Sequence, residues 1–291
     1  MFKFIKNLFL PITFTLDFIQ KYFKTIVFIT IVLFITDSNT PTNLQSANLQ
    51  KIDLVGPITD PRLVLEKINA AKEDSNIEGV LFIVNSPGGS VAPSVELAYA
   101  IKELKEKKPV VAYASGTIAS GSYYASIWAD KIIANPGSMV GSIGVIFQGA
   151  NVEELMSKIG IKTQTIKAGR YKESGTPTRA WSELEKAELQ NVIKDTYNMF
   201  VTDVSSARNL DPKNHTQFAD AHIFTASQAK KVGLIDEVAT ISYAKEELYK
   251  LSGVQDPVWN KEDKMDKFME KFLNEAISKF SVNFLGGLKA Y

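Results

Sequence analysis

Serine is the residue type that could carry nucleophilic chemistry in this chain, because cysteine is absent and only two histidines, His215 and His222, are present. A serine hydroxyl is a weak nucleophile unless a neighbouring base takes its proton, and histidine is the usual base. Both histidines lie far along the chain from the segments rich in glycine and serine. We interpret them as structural or surface residues, which leaves a lysine or a carboxylate as the candidate base.

Three clusters of glycine and serine could position such a nucleophile: NSPGGSV at 85–91, IASGSYY at 118–124 and VGSIGV at 140–145. Taken singly, each cluster is only a turn signal. The first follows a predicted parallel strand and opens a predicted helix, so its backbone NH groups should point into a crevice at the end of the strand. An oxyanion hole requires that arrangement. A phosphate-binding loop is the competing interpretation, but no Gly-Lys-Ser/Thr follows and the pattern is not GxGxxG.

The elements that must position these clusters alternate between short apolar runs and helical patterns. Strand, helix, strand, helix and strand are predicted in turn from KIDLVGPI, PRLVLEKINAAKED, GVLFIVN, SVELAYAIKELKEKK and PVVAYA. This order predicts right-handed crossovers and an α/β fold with a mostly parallel sheet. The run at 79–85 is apolar with little alternation, which is typical of a strand covered on both faces, so helices should flank the sheet. Farther along, Ser182 and Glu185 have the spacing of a capping box at the start of a long helix.

Composition argues against several classes of function. The 33 basic and 32 acidic residues nearly balance, so the whole chain has no electrostatic footprint for nucleic acid. Two histidines without clustered carboxylates between them do not match the spacing of metal ligands, and the absence of cysteine removes thiolate zinc sites. We therefore expect no metal, no cofactor and no nucleic-acid partner.

The N-terminal segment is a compositional outlier. Residues 22–36 are dominated by Phe, Ile and Val, and with the residues back to Phe18 they are long enough for one transmembrane helix. Four lysines precede or begin this stretch against one acidic residue, so the positive-inside rule predicts a cytoplasmic N-terminus and an outward-facing remainder. The rival interpretation is a cleaved signal peptide, but no small-x-small cleavage site follows.

Four regions are predicted along the chain: an N-terminal anchor at 1–36, a polar linker at 37–50, a catalytic domain at 51–252 and a C-terminal extension at 253–291. In the extension, apolar residues from Met265 to Phe280 recur as one stripe of an amphipathic helix. This stripe could dock on its own domain or a neighbouring subunit, contact a membrane surface, or occupy the peptide groove of the protein itself.

Six motifs between about residue 51 and residue 238 occur in a distinctive order. They are NSPGGSV, the SxE opening of the next helix at 94–96, KKPVVAYASGTIASGSYYAS, ADKIIANPGSMVGSIGV, KIGIKTQTIKAGRYKESG and FTASQAKKVGLIDEV. This order resembles that of the signal peptide peptidase A family, serine peptidases with a Ser-Lys dyad. The resemblance implies a Clp protease/crotonase-like fold in a single copy, preceded by the N-terminal transmembrane helix.

The resemblance also implies roles for individual residues. Ser120 corresponds to the family nucleophile, Lys172 to its general base, and Ser142 to the serine that orients the lysine amine. The oxyanion hole would be formed by backbone NH groups of Gly121 and of Gly89 or its neighbour Gly88. In general, a lysine acts as a base only when its pKa falls well below the free value of ~10.4, as burial brings about.

One position departs from the family pattern, which usually has glycine two residues after the nucleophile, where this chain has Ser122. If that position required a positive φ, serine would be strained there.

The activity implied by the resemblance is that of a membrane-anchored serine endopeptidase that degrades cleaved signal peptides and other short apolar peptides. It would act as a homo-oligomer at the bacterial inner membrane, with its catalytic domain on the extracytoplasmic side. Two alternatives stay open at this point. One is a crotonase-like acyl-CoA enzyme, and the other is an inactive scaffold that binds peptides in its groove, which only the Ser122 departure favours.

Overall fold

A computed structural model of the chain describes Phe18, residues 20–29 and residues 46–260. Phe18 and residues 20–29 are helical. Within these described ranges, no helix has the length and apolar character needed to cross a bilayer. The rest of the predicted anchor, residues 37–45 of the predicted linker and the predicted C-terminal amphipathic helix lie outside the described residues. The chain divides between residues 45 and 46 into two compact units, and the second unit contains the candidate site.

The second unit is built on a seven-stranded sheet. Its strands are β1 (Leu49–Val55), β2 (Gly79–Ser86), β3 (Val110–Ala119), β4 (Lys131–Ala134), β5 (Met139–Gly141), β6 (Ile223–Thr225) and β7 (Glu237–Val238). The order β1-β2-β3-β4-β7 is parallel throughout, β5 pairs in parallel with the end of β3, and β6 pairs antiparallel with β5. The prediction of an α/β fold with a mostly parallel sheet is confirmed.

Eight α-helices occur in the part of the second unit that the structure describes. They are α1 (Arg62–Glu73), α2 (Val91–Lys105), α3 (Gly121–Ser126), α4 (Glu153–Lys158), α5 (Glu183–Arg208), α6 (His215–Phe218), α7 (Ala226–Lys231) and α8 (Ile241–Ser252). A short 3₁₀ turn, Pro212–Asn214, precedes α6. The predicted capping box is present: the Ser182 hydroxyl accepts from the Glu185 NH, and the Glu185 carboxylate accepts from the Ser182 NH.

Both faces of the sheet are buried, as the uninterrupted apolar character of β2 predicts. On one face, Val80, Phe82 and Val84 of β2 belong to a large core with residues of α1, α2, α3 and α5. On the other face, Leu81 of β2 packs with Val111 of β3 and Leu248 of α8. Burial on two faces holds the middle strands rigidly, so the segments that leave their carboxyl ends start from fixed points.

The carboxyl ends of β2 and β3 lie side by side. Their parallel register runs from Val80 opposite Val110 and shifts once before Ser86, which lies opposite Ile118. The first glycine-serine cluster therefore leaves the sheet next to the second. The third cluster joins them because Ala119 of β3 pairs with Gly141 of β5.

Candidate active site

Ser120 occupies a sharp turn between β3 and α3. Its backbone has φ 51° and ψ −125°, a conformation that is costly for a residue with a side chain and persists only where the surroundings impose it. Two hydrogen bonds do so here: the Ser120 NH donates to the Gly141 carbonyl at 2.7 Å, and the Ser120 carbonyl accepts from the Tyr124 NH at 3.0 Å. A strained strand-to-helix turn of this kind is the geometry that presents a nucleophilic serine above a sheet.

Two backbone NH groups that have no hydrogen-bond partner among the described residues lie next to this turn. In the residues described here, neither the Gly89 NH nor the Gly121 NH makes a hydrogen bond, whereas the Gly88 NH donates to Ser86 Oγ at 3.2 Å. A Cβ added to Gly121 would lie only 3.3 Å from the Gly89 nitrogen, so the two segments approach closely. Of the two alternatives left open by the sequence, this geometry favours Gly89 over Gly88 as the partner of Gly121.

A cavity of about 90 Å³ opens beside these groups. Ser120, Gly89 and Gly121 line it together with mostly apolar residues: Val91 and Val95 of α2, Tyr124 of α3, Met199 and Phe200 of α5, and Val145 and Ile146. A candidate nucleophile, two NH donors without a partner in the described part of the chain, and an apolar recess therefore meet at one place. That is what acyl transfer from an apolar peptide would need.

Tyr124 forms one wall of the cavity and is fixed in place. Its hydroxyl donates to Asp203 Oδ2, and its ring packs edge-on against Phe200 with centroids 4.7 Å apart. Burial, together with the Asp203 carboxylate, raises the pKa of Tyr124 well above its usual value. The phenol therefore stays neutral and serves as a wall rather than as a base.

Ser142 lies directly after the residue that holds the Ser120 NH. Its own φ is 50°, and its NH donates to the His222 carbonyl at 2.7 Å. In the same turn, the Ala221 NH donates to the Ile143 carbonyl at 2.9 Å. The loop before β6 therefore stabilises residues 141–143, and Gly141 in turn holds the Ser120 NH. Sequence analysis missed this contact between the two loops because they are about 80 residues apart.

The structure does not bring Lys172 to Ser120. Lys172 is exposed in a turn, does not line the cavity, and its amine makes no hydrogen bond or ion pair with any described residue. Of the two residues of the predicted dyad, Ser120 therefore lines the cavity and Lys172 lies outside it.

The turn that contains Lys172 is attached to α5 by ion pairs. Arg179 forms a two-pronged bridge to the buried Glu185, with N–O distances of 2.9 and 2.8 Å, and also contacts Glu173 Oε2 at 2.9 Å. Hydrogen bonds from Lys167 and Arg179 lower the pKa of Glu173 to about 2 from its ordinary 4.5. Because this pKa is depressed in the folded chain, the pairs stabilise the segment above the ordinary pKa and lose that contribution as the pH falls toward 2.

Neither histidine reaches the cavity. His215 Nδ1 lies 3.0 Å from the Tyr197 hydroxyl, which also accepts from the Asp220 NH at 3.1 Å, and His222 is exposed. The interpretation of both residues as structural or surface histidines agrees with these positions.

The backbone strain that a positive φ would cause at Ser122 is not present. This residue lies inside α3 and is not among the residues with positive φ. The turn that needs a positive φ falls on Ser120 itself, so the position two residues later is already helical.

Sequence analysis also missed the contribution of α5 to the cavity. Thr196, Met199 and Phe200 all line it. Their i, i+3, i+4 spacing marks one face of a helix, but the spacing alone does not say which part of the sheet that face covers.

Comparison with known proteins finds relatives of this chain among peptidases and candidate proteases. A model of peptidase family S49 matches residues 102–255, a range that includes Ser120, Ser142 and Lys172. The chain is 43% identical over 198 residues to a candidate protease of Methanocaldococcus jannaschii, covering 68% of this chain and 64% of that protein. It is 36% identical over 207 residues to a candidate protease of Synechocystis sp., covering 71% and 75%. The chloroplast serine protease SPPA of Arabidopsis thaliana is 31% identical over 196 residues, which cover 65% of this chain and only 29% of that protein.

Proposed function

Because this chain belongs to peptidase family S49, a family of serine-type peptidases that includes signal peptide peptidase A, we propose that it is an endopeptidase with Ser120 as nucleophile and Lys172 as general base. The observation that carries the proposal is the convergence at one apolar cavity of Ser120, in its strained turn, with two NH groups that bond to no described residue.

The proposed reaction proceeds through an acyl-enzyme. Ser120 Oγ attacks the peptide carbonyl carbon as its proton passes to the neutral lysine amine, and the resulting oxyanion accepts hydrogen bonds from the NH groups of Gly89 and Gly121. Collapse of this intermediate breaks the C–N bond, and the leaving amine takes the proton from the lysine. Water then attacks the acyl-enzyme with the same base, releasing the acid and restoring the Ser120 hydroxyl.

The base has to approach Ser120 for this chemistry. The segment at 146–172, which contains Lys172, leaves many large apolar side chains exposed: Ile146, Phe147, Leu155, Ile159, Ile161, Ile166 and Tyr171. Soluble chains seldom leave such surface uncovered unless it binds something. We propose that this segment packs against another copy of the chain in a homo-oligomer, and that Ser142 orients the amine once it lies at the cavity.

Membrane attachment is the second part of the proposal. The apolar residues 18–36 with their flanking lysines support an anchor at the bacterial inner membrane that leaves the catalytic domain outside the cytoplasm. A membrane-impermeant, amine-reactive crosslinker added to intact spheroplasts is therefore expected to link copies of the domain. Crosslinks that form only after lysis would contradict the orientation, and none in either case would contradict the homo-oligomer.

Short apolar peptides, including cleaved signal peptides, are the proposed substrates. The apolar lining of a small cavity supports this choice, since an extended peptide could place an apolar side chain there. The test compares one apolar leader sequence as a free peptide and as a surface loop grafted into a stably folded domain. We expect the free peptide to be cleaved on the order of 100-fold faster, because the graft cannot extend without local unfolding. Equal rates would reject the substrate assignment.

The two alternatives lose their support. Two of the relatives described above are candidate proteases and one is named a serine protease, and none of their names points to an acyl-CoA enzyme. An inactive scaffold was favoured only by Ser122, which the helix accommodates without a positive φ.

A further inference from the structure

Ser122 has a buried hydroxyl beside the nucleophile that the proposed reaction does not use. The residue is fully buried, and its Oγ lies 2.7 Å from the Ser86 carbonyl oxygen and 2.9 Å from the Ala119 nitrogen. It is also 2.9 Å from the Ala119 carbonyl oxygen. Because a hydroxyl has one proton, the shorter contact indicates that Ser122 donates to Ser86 while it accepts from the Ala119 NH.

The two partners of this hydroxyl are the last residues of neighbouring strands. Ser86 ends β2 and Ala119 ends β3, and beyond them the paired strands separate into the turns that hold the reactive groups. Gly89 follows the end of β2, while Ser120 and Gly121 follow the end of β3. The Ser122 hydroxyl therefore ties the two strands together at the point where the segments that contain the Gly89 NH and the Gly121 NH leave the sheet.

A second hydrogen bond extends this tie toward the cavity. Ser86 Oγ accepts from the Gly88 NH at 3.2 Å, so the residue whose carbonyl is held by Ser122 also holds the turn before Gly89. On the other side, Ser122 directly follows Gly121 in α3. The hydroxyl thus links both arms of the proposed oxyanion hole through one buried serine.

We propose that Ser122 is a positioning residue that fixes the spacing between the Gly89 NH and the Gly121 NH. The inference rests on the proposed function of Ser120. Donors must lie about 2.7–3.1 Å from the position that the oxyanion occupies, and small displacements weaken them in the transition state more than in the ground state. Loss of the hydroxyl should therefore lower kcat while substrate binding in the apolar cavity is retained.

Ser126 supplies a matched control. It is fully buried one turn later in α3, and its Oγ donates to the Ser122 carbonyl at 2.8 Å, inside the helix. Ser122→Ala and Ser126→Ala each remove one buried serine hydroxyl from the same helix, but only the first cuts the tie between β2 and β3. Comparison of the two variants separates positioning of the NH donors from general stability of α3.

The experiment measures kcat per active site, with sites counted by labelling with a fluorophosphonate. Removal of one oxyanion donor costs about 100- to 1,000-fold in kcat, and Ser122→Ala displaces donors without removing them. We expect kcat per labelled site to fall about 10-fold with KM changed less than about twofold. Ser126→Ala should stay within about twofold of the unsubstituted enzyme, and Ser122→Thr, which keeps the hydroxyl, should recover most of the activity.

A peptide aldehyde gives an independent readout, because its hemiacetal oxygen occupies the oxyanion position. Its affinity should fall in Ser122→Ala by about the same factor as kcat, whereas the corresponding peptide alcohol should bind unchanged. If Ser122→Ala lowers only the melting temperature or the yield of labelled sites, with kcat per site and aldehyde affinity intact, the positioning role is wrong. Absence of labelling at Ser120 in the unsubstituted protein would instead overturn the proposed function, and this inference with it.

Discussion

Replacement of Ser120 by alanine is expected to lower kcat for peptide hydrolysis by at least about 1,000-fold, because it removes the hydroxyl that the strained turn presents at this cavity. The oxyanion donors and the apolar lining remain, so the affinity for a non-reactive peptide alcohol should change little. Initial rates with a fluorogenic apolar peptide, together with fluorophosphonate labelling, measure both effects.

Ser115 is a suitable control for this substitution. It lies five residues earlier on β3, is exposed, and its Oγ contacts the Val84 carbonyl at 3.3 Å, away from the cavity. Ser115→Ala should keep its labelling and nearly its full rate. If Ser120→Ala were still labelled and still cleaved peptide at a normal rate, Ser120 would not be the nucleophile and another serine would have to be sought.

The sequence predicts the strands of this fold better than the surroundings of its site. The runs that became β1, β2 and β3 are apolar, short and separated by helical patterns, so local composition and the handedness of crossovers are enough to indicate a parallel sheet. The glycine-serine clusters at the ends of β2 and β3 then had to lie near each other. Their proximity was therefore predictable from strand order alone.

The remaining contacts depend on tertiary packing that no local pattern encodes. Phe200 lines the cavity because tertiary packing brings it from α5 against Tyr124 of α3. The loop at 219–222 supports Ser142 because β6 returns antiparallel to β5. The conformation at Ser122 was likewise unpredictable, since φ at that position depends on where the turn ends. The structure locates that end at Ser120, one residue before the helix begins.

Lys172 shows a different limit. Its role as a base was inferred from motif order, and the motif predicts residue identity but not the contact between its amine and Ser120. In the folded chain the amine is exposed, while Arg179 attaches the surrounding turn to α5. Whether Lys172 is the base and how its amine reaches Ser120 are therefore two questions that require separate tests.

Replacement of Lys172 by alanine is expected to lower kcat by at least about 1,000-fold, and Lys172→Arg should be similarly inactive because a guanidinium stays protonated. The double variant Ser120→Ala with Lys172→Ala should be little worse than either single variant, since the two groups act as one unit. Lys162→Ala is the control, because Lys162 is an exposed lysine in the same segment. The rate should rise with pH, because only the neutral amine accepts the proton of Ser120.

A histidine base would produce a different profile, with activity titrating near the unperturbed value of ~6.5. Since His215 is bonded to Tyr197 and His222 is exposed, replacing both with glutamine should leave most of the activity and the same dependence on pH. Stopped assays of each variant over a series of pH values compare lysine and histidine as the base directly. Near-normal rates in Lys172→Ala, with loss of activity in a histidine variant, would show that the assignment of the base is wrong. The strained turn at Ser120 and its two NH donors would then have to be served by a proton acceptor from another part of the chain.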